Sequence, residues 1–523
     1  MILRKITIEN ICDVDHKNSL YLYENNMHYF KEIEVYGESI LDNVFGIFED
    51  YKRNQGAFTY KKKKISVMSI TKMVEIDWTN STLLITSDYF NEAFDRICFL
   101  FAQKKEISPS FCIPEVIYYF ANKETEIDLS YRDLYRFSPL ENMIFFRSGP
   151  HASAYVKGLD FSDNARALFE YMLKQHYNEK YKLVWAVKNP EDFSDYLKYT
   201  NVSFVSFEWS VSDDKEKRDK YYEALCLSKY IFMTDAYGFC RNARKDQVRI
   251  QLWHGCGFKT RTNFVSCEKR YEYNIVVGEK YKEIHKQIYG LRDEQVIITG
   301  YPKEDLLFHP ISKETLKLLG IPESKKYVFW MPTFRTASEQ LNILDEQGFE
   351  TEVGLPIIYK LEDLETINQL LSENDMVMIV KLHPFQKKNT VNCGRLSNIV
   401  LLENEQLTML DIQVNELMGW ADALISDYSS AAIDYLILNR PIAFTLDDVE
   451  EYSSSRGFVF DDIREWLPGK EILSVDDFKV FVEEIGKGID SSKEKREQIR
   501  NKVHQFCDDN SSQRVLDAFG IAL

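Results

Sequence analysis

The stretch Ala423-Leu424-Ile425-Ser426-Asp427-Tyr428-Ser429-Ser430-Ala431-Ala432-Ile433-Asp434 reads as a strand, a polar turn and the opening of a helix in immediate succession. A small and apolar run ending at Ser426 suits a strand covered on both faces, as in parallel sheets. Asp427 to Ser430 form the turn, and a helix extends to Leu438. Ser429 and Ser430 then stand where a helix N-terminus leaves backbone N–H groups and a dipole that favour a phosphate. The same serines also suit ordinary helix capping, and the stretch alone does not choose between the two. Asp434, one turn on, can accept ligand hydroxyls or brace the turn.

Outward from this unit the same strand, turn and helix theme repeats, which places the chain in the α/β class. Within residues 293–523, further strands are expected at 295–300, 327–331, 376–382, 399–402 and 441–445. Residues 141–292 carry strands at 143–147, 182–187, 202–206, 230–234 and 249–253, with a helix after Asp163 and Asn164, whose side chains suit its cap, and another near 280–289. Facing each other, these two Rossmann-like units form a cleft of the two-domain GT-B type, joined by a short hinge. A smaller unit, 1–140, precedes them with strands at 19–23, 44–48 and 83–87. A dinucleotide site would need a Gly-rich turn after its first strand, yet the chain reads Glu24-Asn25-Asn26. That unit is expected to be a degenerate Rossmann-like accessory domain.

The chain has 523 residues, more than a single core usually supports, and with 45% hydrophobic and 28% charged residues it has the balance of a folded protein. Its formal charge of −17 repels a polyphosphate backbone, so nucleic acid is excluded as a partner. The run Lys61-Lys62-Lys63-Lys64 reads as a solvated hairpin edge ahead of an anionic-lipid contact. Nine scattered cysteines without a Cys-x-x-Cys pair give neither a zinc site nor a disulfide framework and fit a reducing cytosol. With no secretory signal and no spanning stretch, the expected location is cytoplasmic, any membrane contact being peripheral on the inner face.

Several further polar clusters fall at strand ends, where open α/β sheets bind ligands. Trp253-His254-Gly255-Cys256-Gly257-Phe258-Lys259 offers an imidazole suited to act as a base, glycines that let backbone approach a ligand, and a lysine for a phosphate oxygen. Lys381-Leu382-His383-Pro384 turns a second histidine outward, and Met331-Pro332-Thr333-Phe334-Arg335 supplies a hydroxyl and a guanidinium suited to a bidentate phosphate grip. Gly300-Tyr301-Pro302-Lys303-Glu304-Asp305 sets a proline and a capping carboxylate before the helix beginning at Leu306. No carboxylate cluster calls for a metal, and no cofactor is implied.

Taken together and in this order, the clusters resemble the motifs of the CDP-glycerol glycerophosphotransferase family, enzymes of teichoic acid and capsule synthesis. Trp253 to Lys259 corresponds to Trp-His-Gly-x-x-x-Lys, Gly300 to Asp305 to Gly-x-Pro-[Arg/Lys]-x-Asp, and Pro332 to Arg335 to Pro-Thr-[Trp/Phe]-Arg. His383-Pro384, Ser426 to Ser430 with Asp434, and Arg456-Gly457-Phe458 complete the series. The chain departs at Cys256-Gly257-Phe258, where the family often has Thr-Pro-Leu, and at Pro468-Gly469-Lys470, where it has Pro-Gly-Pro. The resemblance spans roughly residues 143–467 and leaves the first unit outside it.

The resemblance implies that an acceptor hydroxyl attacks the polyol-linked phosphorus of a CDP-alcohol and expels CMP. It implies His254 as base, with His383 also catalytic, and Arg335, Thr333, Ser429 and Ser430 on the donor phosphates. Lys259, Asp434, Asp427, Gly255, Pro302 and Asp305 are expected in binding or supporting roles. The implied partners are a CDP-polyol donor and a lipid-linked or polymeric glycan acceptor, with the oligomeric state open. Two rival readings keep the fold: a glycosyltransferase using a nucleotide sugar, and a non-catalytic scaffold of polymer assembly.

Overall fold

A computed structural model describes residues 1–6, 19–23, 42–49, 56–60, 63–87, 90–121, 123–149, 159–235, 237–240, 243–259, 270–332, 352–382, 396–446, 449–455 and 457–523. Three sheets organise them. The second sheet runs, in spatial order, Val202–Ser206, Lys182–Val187, Glu141–Ser148, Ser228–Thr234, Val248–Gln251, Tyr273–Val276 and Val296–Ile298, all parallel. The third runs Ile399–Leu402, Met376–Lys381, Lys326–Trp330, Ala423–Ser426, Ile442–Thr445 and Lys470–Ile472, again all parallel. In each, the chain winds outward from its first strand, then returns to the other side of it. The resulting switch points lie between Glu141–Ser148 and Ser228–Thr234, and between Lys326–Trp330 and Ala423–Ser426. Doubly wound sheets bind ligands beyond such points.

The first sheet is built the same way around Ser19–Tyr23, with Val44–Glu49 and Lys63–Ser69 on one side and Ser81–Ile85 and Val116–Phe120 on the other. Ile2–Ile6 closes one edge, and Gly56–Tyr60 closes the other as the antiparallel partner of Lys63–Ser69. Lys63 and Lys64 are exposed on that hairpin. Lys61 and Lys62 lie outside the described residues, as do Glu24 to Asn26.

Alternation along the strands of the second sheet fills both of its faces. Ile144, Phe146 and Phe232 meet Leu168, Phe169 and Met172 of the helix Asp163–Lys174, while Phe145, Ile231 and Met233 meet Tyr221, Tyr222 and Leu225 of the helix Lys215–Leu227. Each of these side chains is buried, and a large apolar one stabilises the fold by about 1.5–3 kcal/mol. The Phe146 and Trp185 rings stack at 5.4 Å.

The strand expected at 249–253 ends at Gln251. The Gln251 side-chain carbonyl accepts from Asp235 N and Trp253 N, both at 2.9 Å, and Trp253 turns to φ 55°. The backbone therefore leaves the ladder just before His254. Two features of the second sheet come from beyond residue 292. One is its last strand, Val296–Ile298. The other is the C-terminal segment, where Gln513 accepts from Tyr171, Phe519 O from Tyr230 and Ala522 O from Tyr181. No helix among the described residues is long and apolar enough to cross a membrane.

Candidate active site

His254 is exposed at the carboxyl end of the second sheet, its ring 4.5 Å from that of Trp253. What fixes its backbone is Lys303, whose Nζ donates to His254 O at 2.7 Å. The same ammonium lies 3.0 Å from Asp434 Oδ2 and 3.5 Å from Asp163 Oδ1. Asn164 completes the support: its Nδ2 donates to Leu252 O and Trp253 O at 3.2 and 2.9 Å, and its Oδ1 accepts from Lys303 N at 3.1 Å. Asn164 therefore holds the loop before His254, while Asp163 Oδ1 accepts from Asn164 N at 2.8 Å and Thr234 Oγ1 from Ala165 N at 3.1 Å at the start of the helix Asp163–Lys174. Asp163 has φ 61°, Trp253 φ 55° and Gly255 φ 136°, so three left-handed residues surround one lysine. Such backbone strain concentrates at functional sites.

The Ser426–Asp434 segment meets this loop from the third sheet. A Cβ added to Gly255 would lie 2.7 Å from Ser430 Oγ, so only glycine lets the two segments approach so closely. Asp427 Oδ1 accepts from Ser429 N at 3.1 Å, and Ser429 Oγ accepts from Ala431 N at 3.3 Å, so both shape the turn. The Ser430 hydroxyl has no hydrogen-bond partner among the described residues. The helix is short, Ala431–Leu436, and buries Asp434 against Lys303.

Lys259 reaches a third cluster. It pairs in an isolated bridge with Phe458, and its Nζ lies 5.6 Å from the centre of the Tyr452 ring. Tyr428 packs on both Tyr452 and Phe458, at 4.6 and 5.0 Å. Segments around residues 259, 428 and 458, distant in sequence, thus form one aromatic wall.

Electrostatics separate the buried groups. Burial alone would lower the pKa of Lys303, but Asp163 and Asp434 hold it above the usual lysine range. Burial raises the Asp434 carboxyl, against the opposing pull of Lys303 and of His254. Glu304 is pushed well up by burial and then by Asp434. His504, driven down to about 4 by burial, stays neutral and donates from Nε2 to Ile433 O at 2.8 Å. At the end of Met376–Lys381, burial lowers the Lys381 ammonium to about 8, and its Nζ donates to Leu382 O at 2.7 Å.

Of the residues expected at the site, His254, Gly255, Ser430 and Asp434 meet around Lys303, Asp427 and Ser429 shape the turn before Ser430, and Lys259 lies in the third cluster with Tyr452 and Phe458. Thr333, Arg335 and His383 lie outside the described residues. Pro302 opens the four-residue helix Pro302–Asp305 that carries Lys303. Asp305 caps a different helix from the one expected. Its two oxygens accept from Ser511 N and Ser512 N, both at 2.8 Å, at the start of Ser511–Ala518. The residues not foreseen are Lys303, Asp163 and Asn164. The signal for Lys303 was its place inside the Gly300 to Asp305 motif, whose fourth position is basic in the family pattern.

Among curated proteins, the ribitol-phosphate polymerase TarK of Staphylococcus aureus is 29% identical over 335 residues, 59% of this chain and 60% of that protein. The poly(glycerol phosphate) polymerase of Staphylococcus epidermidis is 26% identical, over 67% of this chain and 46% of that protein. The chain therefore spans about half to three fifths of the length of these relatives. The teichoic acid glycerol-phosphate primase of Bacillus subtilis is 28% identical over 56% of this chain and 74% of its own length. A solved structure of the wall teichoic acid polymerase TagF shares the fold, with a TM-score of 0.58 at 20% identity over 83% of this chain and 97% of that one. With residues 142–519 matching its profile, the chain belongs to the CDP-glycerol:poly(glycerophosphate) glycerophosphotransferase family.

Proposed function

We propose that this chain transfers a polyol phosphate, glycerol phosphate or ribitol phosphate, from a CDP-activated donor to a hydroxyl of a teichoic acid or capsule acceptor, releasing CMP. The observation that carries this reading is the packing of the His254-Gly255 turn against Ser430, with Lys303 bridging His254 O and Asp434. The turn that carries an exposed imidazole at the end of one sheet thereby packs against a free hydroxyl and a polar turn from the other. Membership of the family, and relatives named for ribitol-phosphate and glycerol-phosphate polymerisation, support the same chemistry.

In this reading the units work as a GT-B pair, residues 141–292 handling the acceptor and 293–523 the donor. The acceptor oxygen forms a bond to the polyol-bearing phosphorus as the bond from that phosphorus to the CMP oxygen breaks. CMP leaves with the electron pair, and the acceptor proton passes to the His254 imidazole. Ser430, with Arg335, Thr333 and His383, contacts the donor phosphates, where hydrogen bonds and positive charge stabilise the charge of the transition state. Lys259 and the turn set by Ser429 and Asp427 complete the donor side. The reaction takes place in the cytoplasm against the inner face of the membrane, where a lipid-linked acceptor is presented.

The test is to incubate the purified chain with a teichoic acid primer and, separately, CDP-glycerol, CDP-ribitol and UDP-sugars, following the nucleotide released. CMP release with polyol phosphate added to the primer is expected. UDP release without CMP would replace this reading with sugar transfer.

A further inference from the structure

A cavity of about 250 Å³ opens beyond the carboxyl end of Glu141–Ser148, where the helix Lys123–Leu134 meets the second unit. Arg147, the penultimate residue of that strand, is part of its lining. The guanidinium lies 4.7 Å from the centre of the Phe207 ring and 4.9 Å from that of Phe239. It makes no hydrogen bond or ion pair with any described residue. Two of the carboxylates in the lining have cations of their own: Asp128 lies 3.5 Å from Arg132, and Glu208 lies 3.9 Å from Lys188.

Two rings thus orient a planar group whose N–H donors remain unspent, and a guanidinium of that kind matches the oxygens of a phosphate or carboxylate. The position is informative as well. Arg147 lies at the carboxyl end of Glu141–Ser148, beside the switch point of the second sheet, where ligands of open α/β sheets bind. Arg147 pairs in register with Met233, and Met233 with Gln251. Two strand spacings, about 10 Å, therefore separate Arg147 from the strand that ends just before His254. The remaining lining, with Ser210 and the three carboxylates Glu124, Asp128 and Glu208, offers acceptors for hydroxyl groups and disfavours a bare anion.

We propose that this cavity binds a polyol-phosphate unit of the acceptor chain upstream of its reactive end, the phosphate on Arg147 and the polyol hydroxyls on Ser210 and the carboxylates. The ligand class rests on the proposed function; the anion requirement rests on Arg147 alone. Bound there, the chain runs along the carboxyl edge of the second sheet toward His254, and an acceptor that already carries polyol phosphate is held better than a bare primer.

The test compares the full-length chain with Arg147→Met, which keeps an apolar stem between the rings, and Arg147→Lys, which keeps the charge and loses the fork. Calorimetry measures binding of soluble oligo(glycerol phosphate), oligo(ribitol phosphate) and inorganic phosphate, and thermal melting checks the fold. Oligomer affinity is expected to fall on the order of 10-fold or more in Arg147→Met and by less in Arg147→Lys, with CDP-polyol affinity unchanged. Equal oligomer binding by the parent and Arg147→Met overturns the proposal, as does inorganic phosphate binding as tightly as the oligomers. If oligomers bind through Arg147 while no CDP-polyol yields CMP, the donor reading falls and the cavity stands. If CMP is released with the same acceptor KM in Arg147→Met, the cavity falls and the donor reading stands.

Discussion

Replacing Lys303 with methionine removes a buried ammonium that lies 3.0 Å from Asp434, 3.5 Å from Asp163 and 2.7 Å from the His254 carbonyl oxygen. The Lys303 and Asp434 side chains are only 8% and 4% exposed, so solvent cannot replace the lost partner. Deleting one member of a buried ion pair costs about 3–5 kcal/mol. Asp434 can limit that cost by taking up a proton, because burial already raises its pKa and the loss of Lys303 raises it further. A carboxyl whose folded pKa exceeds its unfolded one keeps its full contribution to stability only below the unfolded value, and loses it as pH rises through the folded value. The variant is therefore least impaired near pH 4, about the unfolded carboxylate value, and loses more as pH rises above it. Activity falls separately. With its carbonyl untethered, the His254 loop can shift by about 1 Å, a displacement that lowers rates on the order of 100-fold. Denaturation at a series of pH values, together with CMP release, measures both effects. In the double variant with Asp434→Asn, the losses should sum to less than the two single losses, because the groups interact directly. Parental CMP release with pH-independent stability in Lys303→Met would refute the bridging role.

Gly255→Ala places a Cβ 2.7 Å from Ser430 Oγ at φ 136°, so it should destabilise by about 1–3 kcal/mol and slow turnover; adding Ser430→Gly relieves the clash and leaves the backbone strain, giving partial recovery of the melting temperature. Asp305→Ala uncaps Ser511–Ala518 at a cost of about 0.5–2 kcal/mol, seen as faster hydrogen exchange at the Ser511 and Ser512 amides. Burial pushes the Cys256 thiol well up, so maleimide at mildly alkaline pH should label exposed Cys112 at once and reach Cys256 only after denaturation, as read by peptide mass spectrometry.

The strands were legible because parallel, doubly covered strands are short apolar runs with sharp polar ends. Lys182–Val187, Val202–Ser206, Ile399–Leu402 and Ala423–Ser426 have the expected bounds for that reason. Trp253 was harder, since an apolar side chain continues the run while the backbone has already turned at φ 55°. The motif residues could be named from their places at strand ends, but their partners could not. A lysine followed by glutamate and aspartate reads as a solvated helix start, and only the packing of Asp163–Lys174 against Pro302–Asp305 buries it beside Asp434. Asp305 illustrates the same limit, because the helix it caps begins 206 residues later. The return of the C-terminal segment to Tyr171, Tyr181 and Tyr230 likewise depends on contacts that no local pattern records.

The most direct test of the central claim follows polyol phosphate from a labelled CDP-polyol onto a primer by mass spectrometry, in the parent and in His254→Ala. The His254 side chain is exposed, so its removal should leave the fold and donor affinity intact. The account predicts one CMP released per polyol phosphate transferred by the parent, and donor binding without transfer by the variant. Transfer at the parental rate by a folded His254→Ala chain would contradict it.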